Sequence, residues 1–149
     1  MLLVEKVLLL KATDLFAFTN EQDLVDIATI LEDVHLDKNT LIFEKGEIGR
    51  ELYIIYKGSV KVHDGDHTLA VLKDPDFFGE LSLLDAEPRS ASITTLEDCS
   101  FLKLSQEPFF EVLFRSSHVL KGIIKTLCRR VRIQDEKEVK LSRRLKQLS

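Results

Sequence analysis

Along the first 33 residues the apolar positions recur at helical spacing. After Thr19 and Asn20, either of which can cap a helix, the run LVDIATIL sets Leu24, Ile27, Ala28 and Leu31 on one face. From Val34 the period shortens. Runs rich in β-branched and aromatic residues, TLIF, ELYIIYK, SVKV, TLAVL, ASITT and CSFLKL, are parted by turn-forming clusters such as Lys45-Gly46-Glu47, Lys57-Gly58 and Asp74-Pro75-Asp76. Strands this short and evenly spaced predict an antiparallel sandwich or jelly roll. Within VHDGDHTLAV the pattern predicts a hairpin whose tight loop is Asp64-Gly65. Helical spacing returns near Gln106, and after Ser117 the series Leu120, Ile123, Ile124, Leu127, Val131 carries an apolar stripe. Beyond Ile133 a sparse line remains at Val139, Leu141, Leu145 and Leu148. That end is expected either to project into solvent or to meet a partner helix, a second copy of the chain included.

The pattern divides the chain into a helical segment at 1–33, a β-rich segment at 34–105 and C-terminal helices at 106–149. A length of 149 residues supports one well-formed core, and no Pro/Gly/Ser-rich linker separates two. The net charge of −4 conceals an asymmetry: residues 1–128 hold 13 Lys/Arg against 22 Asp/Glu, whereas residues 129–149 hold 8 against 3. The apolar start MLLVEKVLLLK is broken by Glu5 and Lys6, and no run approaches the roughly 18 apolar residues of a membrane span. A cytoplasmic location follows as the expectation, or the cytoplasmic face of a membrane if the chain is part of a larger membrane protein. Cys99 and Cys128 lack metal-ligand spacing and are expected to be buried free thiols.

One stretch departs from the strand pattern. FGELSLLDAEPRSAS, residues 78–92, places Glu80 and Arg89 among small, apolar and hydroxylated residues. Gly79 opens ELSLL, long enough for one helical turn, and Pro88 forces an extended approach to Arg89. A glycine before a short helix lets the backbone come close to a ligand, and the first amides of that helix have no internal partners. An arginine fork matches two oxygens of a phosphate, while a glutamate disfavours phosphate and suits a sugar hydroxyl. Together they describe a nucleotide whose phosphate lies beside its own sugar, the geometry of a cyclic nucleotide.

FGELSLLDAEPRSAS resembles the phosphate-binding cassette of cyclic nucleotide-binding domains, of the catabolite-activator and protein-kinase-A-regulatory-subunit type. The upstream IFEKGEIGRELYIIYKGSVKV resembles the paired strands of that family, and LFAFTNEQDLVDIA its N-terminal helices. The resemblance implies a mainly β fold with flanking helices, a double-stranded β-helix or jelly-roll-like β-roll of about eight strands. It implies that Glu80 takes the ribose 2′-hydroxyl and Arg89 the cyclic phosphate. Phe78 opens the cassette, Gly79 and Leu81 offer backbone groups, Ser82 an amide, and Ser90 and Ala91 a hydroxyl and an amide. It further implies a lid helix from near Ser117 over the purine, with Leu127, Arg130 and Val131 as candidates to touch the base. The implied ligand is cAMP or cGMP, with cAMP the expected preference, and no further cofactor or metal is implied.

Rival chemistries lack residues. No nucleophile elbow, Walker loop or zinc-type Cys/His spacing is present, so binding without catalysis is expected. His63 and His67 in HDGDH fit an exposed polar hairpin tip better than a metal site. After Arg132 only 17 residues remain, too few for a helix-turn-helix, so no DNA-binding domain is expected in this chain. The expected role is a sensory module whose C-terminal helix contacts an output domain, a partner protein or a second copy. The alternative is a structural or protein-interaction domain of the same fold, an empty barrel in which Glu80 and Arg89 neutralise each other.

Overall fold

A computed structural model describes residues 1–148. Helix α1 (Leu3–Ala12) leads through a 3-10 turn at Asp14–Phe16 into α2 (Glu21–Thr29). The Asn20 side chain caps α2 by accepting from the Asp23 N–H at 2.9 Å. Leu24, Ile27 and Ala28 face the core from α2, and Leu31 is buried just past its end.

Eight strands follow: β1 (Glu32–Leu36), β2 (Leu41–Phe43), β3 (Glu51–Lys57), β4 (Ser59–Asp64), β5 (His67–Lys73), β6 (Phe77–Phe78), β7 (Ser92–Thr95) and β8 (Cys99–Ser105). They form two four-stranded antiparallel sheets, in the orders β1-β8-β3-β6 and β2-β7-β4-β5. This is the expected β-roll. Between β6 and β7 the chain leaves the sheets to make α3 (Glu80–Leu84), and after β8 it continues into α4 (Gln106–Arg115) and α5 (Ser117–Leu148).

The period of two along β3 separates two cores. Leu52 and Ile54, paired with Leu104 and Leu102 of β8, face the helices and pack with Leu10, Phe16, Phe109, Val119 and Ile123. Ile55 instead faces the space between the sheets, with Val60, Phe78, Ile93 and Phe101. Phe16 and Phe109, from opposite ends of the chain, meet edge to face at 5.8 Å and tie the two helical segments together.

The β4–β5 hairpin differs from expectation by one residue. Asp64 pairs with His67, so the loop is Gly65-Asp66. Gly65 takes the positive φ of 56° required at the first loop position, a conformation that the aspartate on either side adopts less readily. Cys99 is buried as expected, whereas Cys128 is exposed, because α5 turns Val119, Gly122, Ile123 and Thr126 inward and Cys128 lies off that face. Past Ile133 every described residue of α5 is exposed. Among the described residues no helix is long and apolar enough to cross a membrane.

Candidate functional site

The cassette folds as its composition dictates. Gly79 caps α3 in the left-handed region at φ 82°, and a Cβ there would lie 2.4 Å from the Glu51 carbonyl oxygen and 2.8 Å from Arg89 Nη1. Gly49 is tighter still, since a Cβ would sit 2.0 Å from Arg89 Nε. Two glycines from different loops thus make the space in which the Arg89 side chain lies. Pro88 bridges to Ile48, and the Arg89 backbone N–H and C=O bond to Glu47 and Gly46, which fixes the extended run into β7.

Arg89 is buried. Its Nη2 donates to the Glu51 carboxylate at 3.2 Å and to the Glu51 carbonyl at 3.3 Å, and its guanidinium carbon lies 4.0 Å from the centre of the Phe43 ring. Burial pulls the guanidinium below its ordinary value, with Glu51 opposing. Phe43 is steadied by Phe78, which also stacks on Tyr53 at 5.1 Å. Glu51, Phe43 and Gly49 were not singled out from the sequence as site residues. No local signal marks Glu51, whose role rests on its contact with Arg89, 38 positions away.

Glu80 does not pair with Arg89. Its Oε1 accepts from Arg130 Nη1 at 2.7 Å, and Arg130 also bonds Asp14 Oδ2 through Nε at 2.9 Å and Nη2 at 2.6 Å. Burial works against the Arg130 charge, but the bonds to Glu80 and Asp14 outweigh it and hold the group above its ordinary value. Two buried polar atoms remain without partners here, Glu80 Oε2 and Arg89 Nε. A buried acceptor or donor left unpaired costs about 1 to 3 kcal/mol, and more when charged. One free acceptor and one free donor of opposite charge therefore belong to residues lining the same pocket.

That pocket has a volume of about 690 Å³. The cassette contributes Phe78, Gly79, Glu80, Leu81, Ser82, Arg89, Ser90 and Ala91, the β-roll adds Phe43, Val62 and Ile93, and α5 supplies Leu127. Asp85 and Glu87, whose charges oppose an anion, also line the pocket but are exposed to solvent. All eight expected cassette residues are brought together. Of the three lid candidates only Leu127 lines the pocket, since Arg130 is engaged by Glu80 and Asp14 and Val131 is 60% exposed.

An apolar wall, a buried cation and a carboxylate facing one cavity suit a phosphorylated sugar carrying a flat base. The family model for the cyclic nucleotide-binding domain matches residues 33–116. The chain belongs to the cyclic nucleotide-binding domain family. Over 99 residues it is 37% identical to the cyclic AMP receptor protein of Thermus thermophilus, covering 63% of this chain and 46% of that one. Its fold is similar to the N-terminal domain of a transcriptional regulator from Streptomyces coelicolor, with a TM-score of 0.80, 28% identity, and 87% and 93% of the two chains covered. It is also similar to the regulatory domain of Toxoplasma gondii PKA, solved with cAMP, with a TM-score of 0.68, 26% identity, and 74% and 44% covered. The match of this cyclic nucleotide-binding domain spans less than half the length of such curated relatives, 46% of the Thermus receptor protein and 12% of the human Rap guanine nucleotide exchange factor 3.

Proposed function

We propose that this domain binds a 3′,5′-cyclic purine nucleotide, cAMP in preference to cGMP, without converting it, and serves as the regulatory module of a longer cytoplasmic protein or of one with a cytoplasmic face. The observation that carries this reading is the pair of unpartnered buried atoms, Arg89 Nε and Glu80 Oε2, on two residues that line one pocket. A cyclic phosphate supplies the acceptor that Arg89 lacks, and a ribose 2′-hydroxyl supplies the donor that Glu80 lacks. Gly79, Leu81, Ser82 and Ala91 offer backbone groups around them, with the Ser90 hydroxyl alongside. The purine packs against the apolar wall, where Leu127 takes the place of an aromatic cap.

The preference for cAMP draws support from the receptor and the kinase domain named above, whose names carry that ligand. The empty-barrel alternative, in which Glu80 and Arg89 neutralise each other, draws no support from the ion pairs: Glu80 pairs with Arg130 and Arg89 with Glu51. Signalling follows from the position of Leu127. The same helix that meets the pocket packs on the 3-10 turn through Thr126, which donates to the Leu15 carbonyl at 3.4 Å. Ligand shifts the position of α5 only by its differential affinity for two arrangements, so contacts made through α5 decide the response. Output passes along α5 to an output domain or a partner protein. Self-association is part of the proposal: Leu141, Leu145 and Leu148, at steps of four and three, are exposed on the length of α5 past Ile133.

Titration of Arg89→Ala tests the phosphate assignment. Affinity for cAMP should fall by about 2 to 5 kcal/mol, the range for removing one member of a buried charge-assisted pair, with the circular dichroism spectrum unchanged. A loss smaller than about tenfold, roughly 1.4 kcal/mol, would contradict the assignment.

A further inference from the structure

Arg130 is one of the three lid residues that the sequence offered to the purine, yet its guanidinium is committed elsewhere. It spans two carboxylates, Glu80 of the cassette at 2.7 Å and Asp14 of the 3-10 turn at 2.6 Å, and the pocket wall omits it. Asp14 also takes Arg129, whose guanidinium lies 5.0 Å from the centre of the Phe18 ring. The chain just past the 3-10 turn is in turn seated on α5, where a Cβ on Gly122 would come within 2.9 Å of the Phe18 carbonyl oxygen. Arg130 is therefore held between two carboxylates, of which Glu80 lines the pocket and Asp14 does not.

Its effect on Glu80 is twofold. Binding Oε1 fixes the carboxylate so that Oε2 is the oxygen left free. Neutralising the carboxylate also removes the repulsion that a second anion in the same pocket would meet. We infer that Arg130 is a positioning residue for the sugar: through Glu80 it sets up the acceptor for a ribose 2′-hydroxyl and makes a carboxylate tolerable beside a cyclic phosphate. This rests on the cyclic nucleotide reading of the pocket.

The test is a cycle between Arg130 and the 2′-hydroxyl. Wild type, Arg130→Gln, Arg130→Lys and Asp14→Asn are each titrated calorimetrically with cAMP and with 2′-deoxy-cAMP, after a thermal melt has checked folding. In wild type, loss of the 2′-hydroxyl should weaken binding at least about tenfold, as for a hydrogen bond to a charged group. In Arg130→Gln, cAMP should bind at least about tenfold more weakly, and the 2′-hydroxyl should now contribute less than about threefold. Arg130→Lys should restore part of that factor, because an ammonium neutralises Glu80 without bridging both carboxylates. Asp14→Asn should retain most of it. Should Arg130→Gln fail to fold, the lysine variant decides, with a factor equal to wild type counting against the inference. Equal weakening of both nucleotides in Arg130→Gln would overturn it, assigning Arg130 to the base or to folding alone. Wild type that binds neither nucleotide would bring down the cyclic nucleotide reading itself.

Discussion

The pocket depends on single atoms being left out as much as on side chains being present. Gly49 has no positive φ to explain it; its requirement is the 2.0 Å that a Cβ would leave to Arg89 Nε. The obstructed group is the end of a flexible side chain, so Gly49→Ala should displace the guanidinium and leave the fold in place. Affinity for cAMP is then expected to drop at least about tenfold while the urea midpoint moves little. Wild-type affinity in Gly49→Ala would show that Arg89 need not lie where it does. The cassette was legible because its residues are adjacent in sequence and each carries one obvious chemistry. Glu51, Phe43 and Asp14 were not, because their roles exist only through contacts with Arg89 and Arg130, 38 to 116 positions away.

Among the elements, the strands announced themselves through alternation, and the division of β3 into a helix-facing and a barrel-facing side follows from that period. The hairpin loop was displaced by one residue because the sequence fixes the glycine but leaves its place in the turn to the register of β4 and β5. Helix α5 shows propensity and packing in opposition. Alanine at an exposed helical glycine stabilises by about 1 kcal/mol, but at Gly122 the Cβ meets backbone of Phe18 at 2.9 Å, which cannot move as a side chain can. Overpacking costs about 1 to 3 kcal/mol, so Gly122→Ala should be destabilising overall in urea unfolding. A gain in stability would show that α5 and the chain at Phe18 are less closely joined than their contacts require.

For the molecule as a whole, an acidic body and a basic tail meet in α5, whose described residues past Ile133 contribute nothing to the core. Leu141 and Leu145 are 58% and 59% exposed on that length of helix. If a second copy covers them, sedimentation should report twice the 17.1 kDa chain mass, and Leu141→Asp with Leu145→Asp should return it to one. A wild-type chain that stays at the single mass up to high concentration would contradict self-association while leaving the pocket untouched. The central claim is the ligand, and calorimetric titration of nucleotide-free protein with cAMP, cGMP and 5′-AMP tests it most directly. The account predicts micromolar or tighter binding of cAMP, weaker binding of cGMP and little response to 5′-AMP, whose open phosphate cannot sit beside the ribose in the same way. Silence toward both cyclic nucleotides, or equal binding of 5′-AMP, would contradict it.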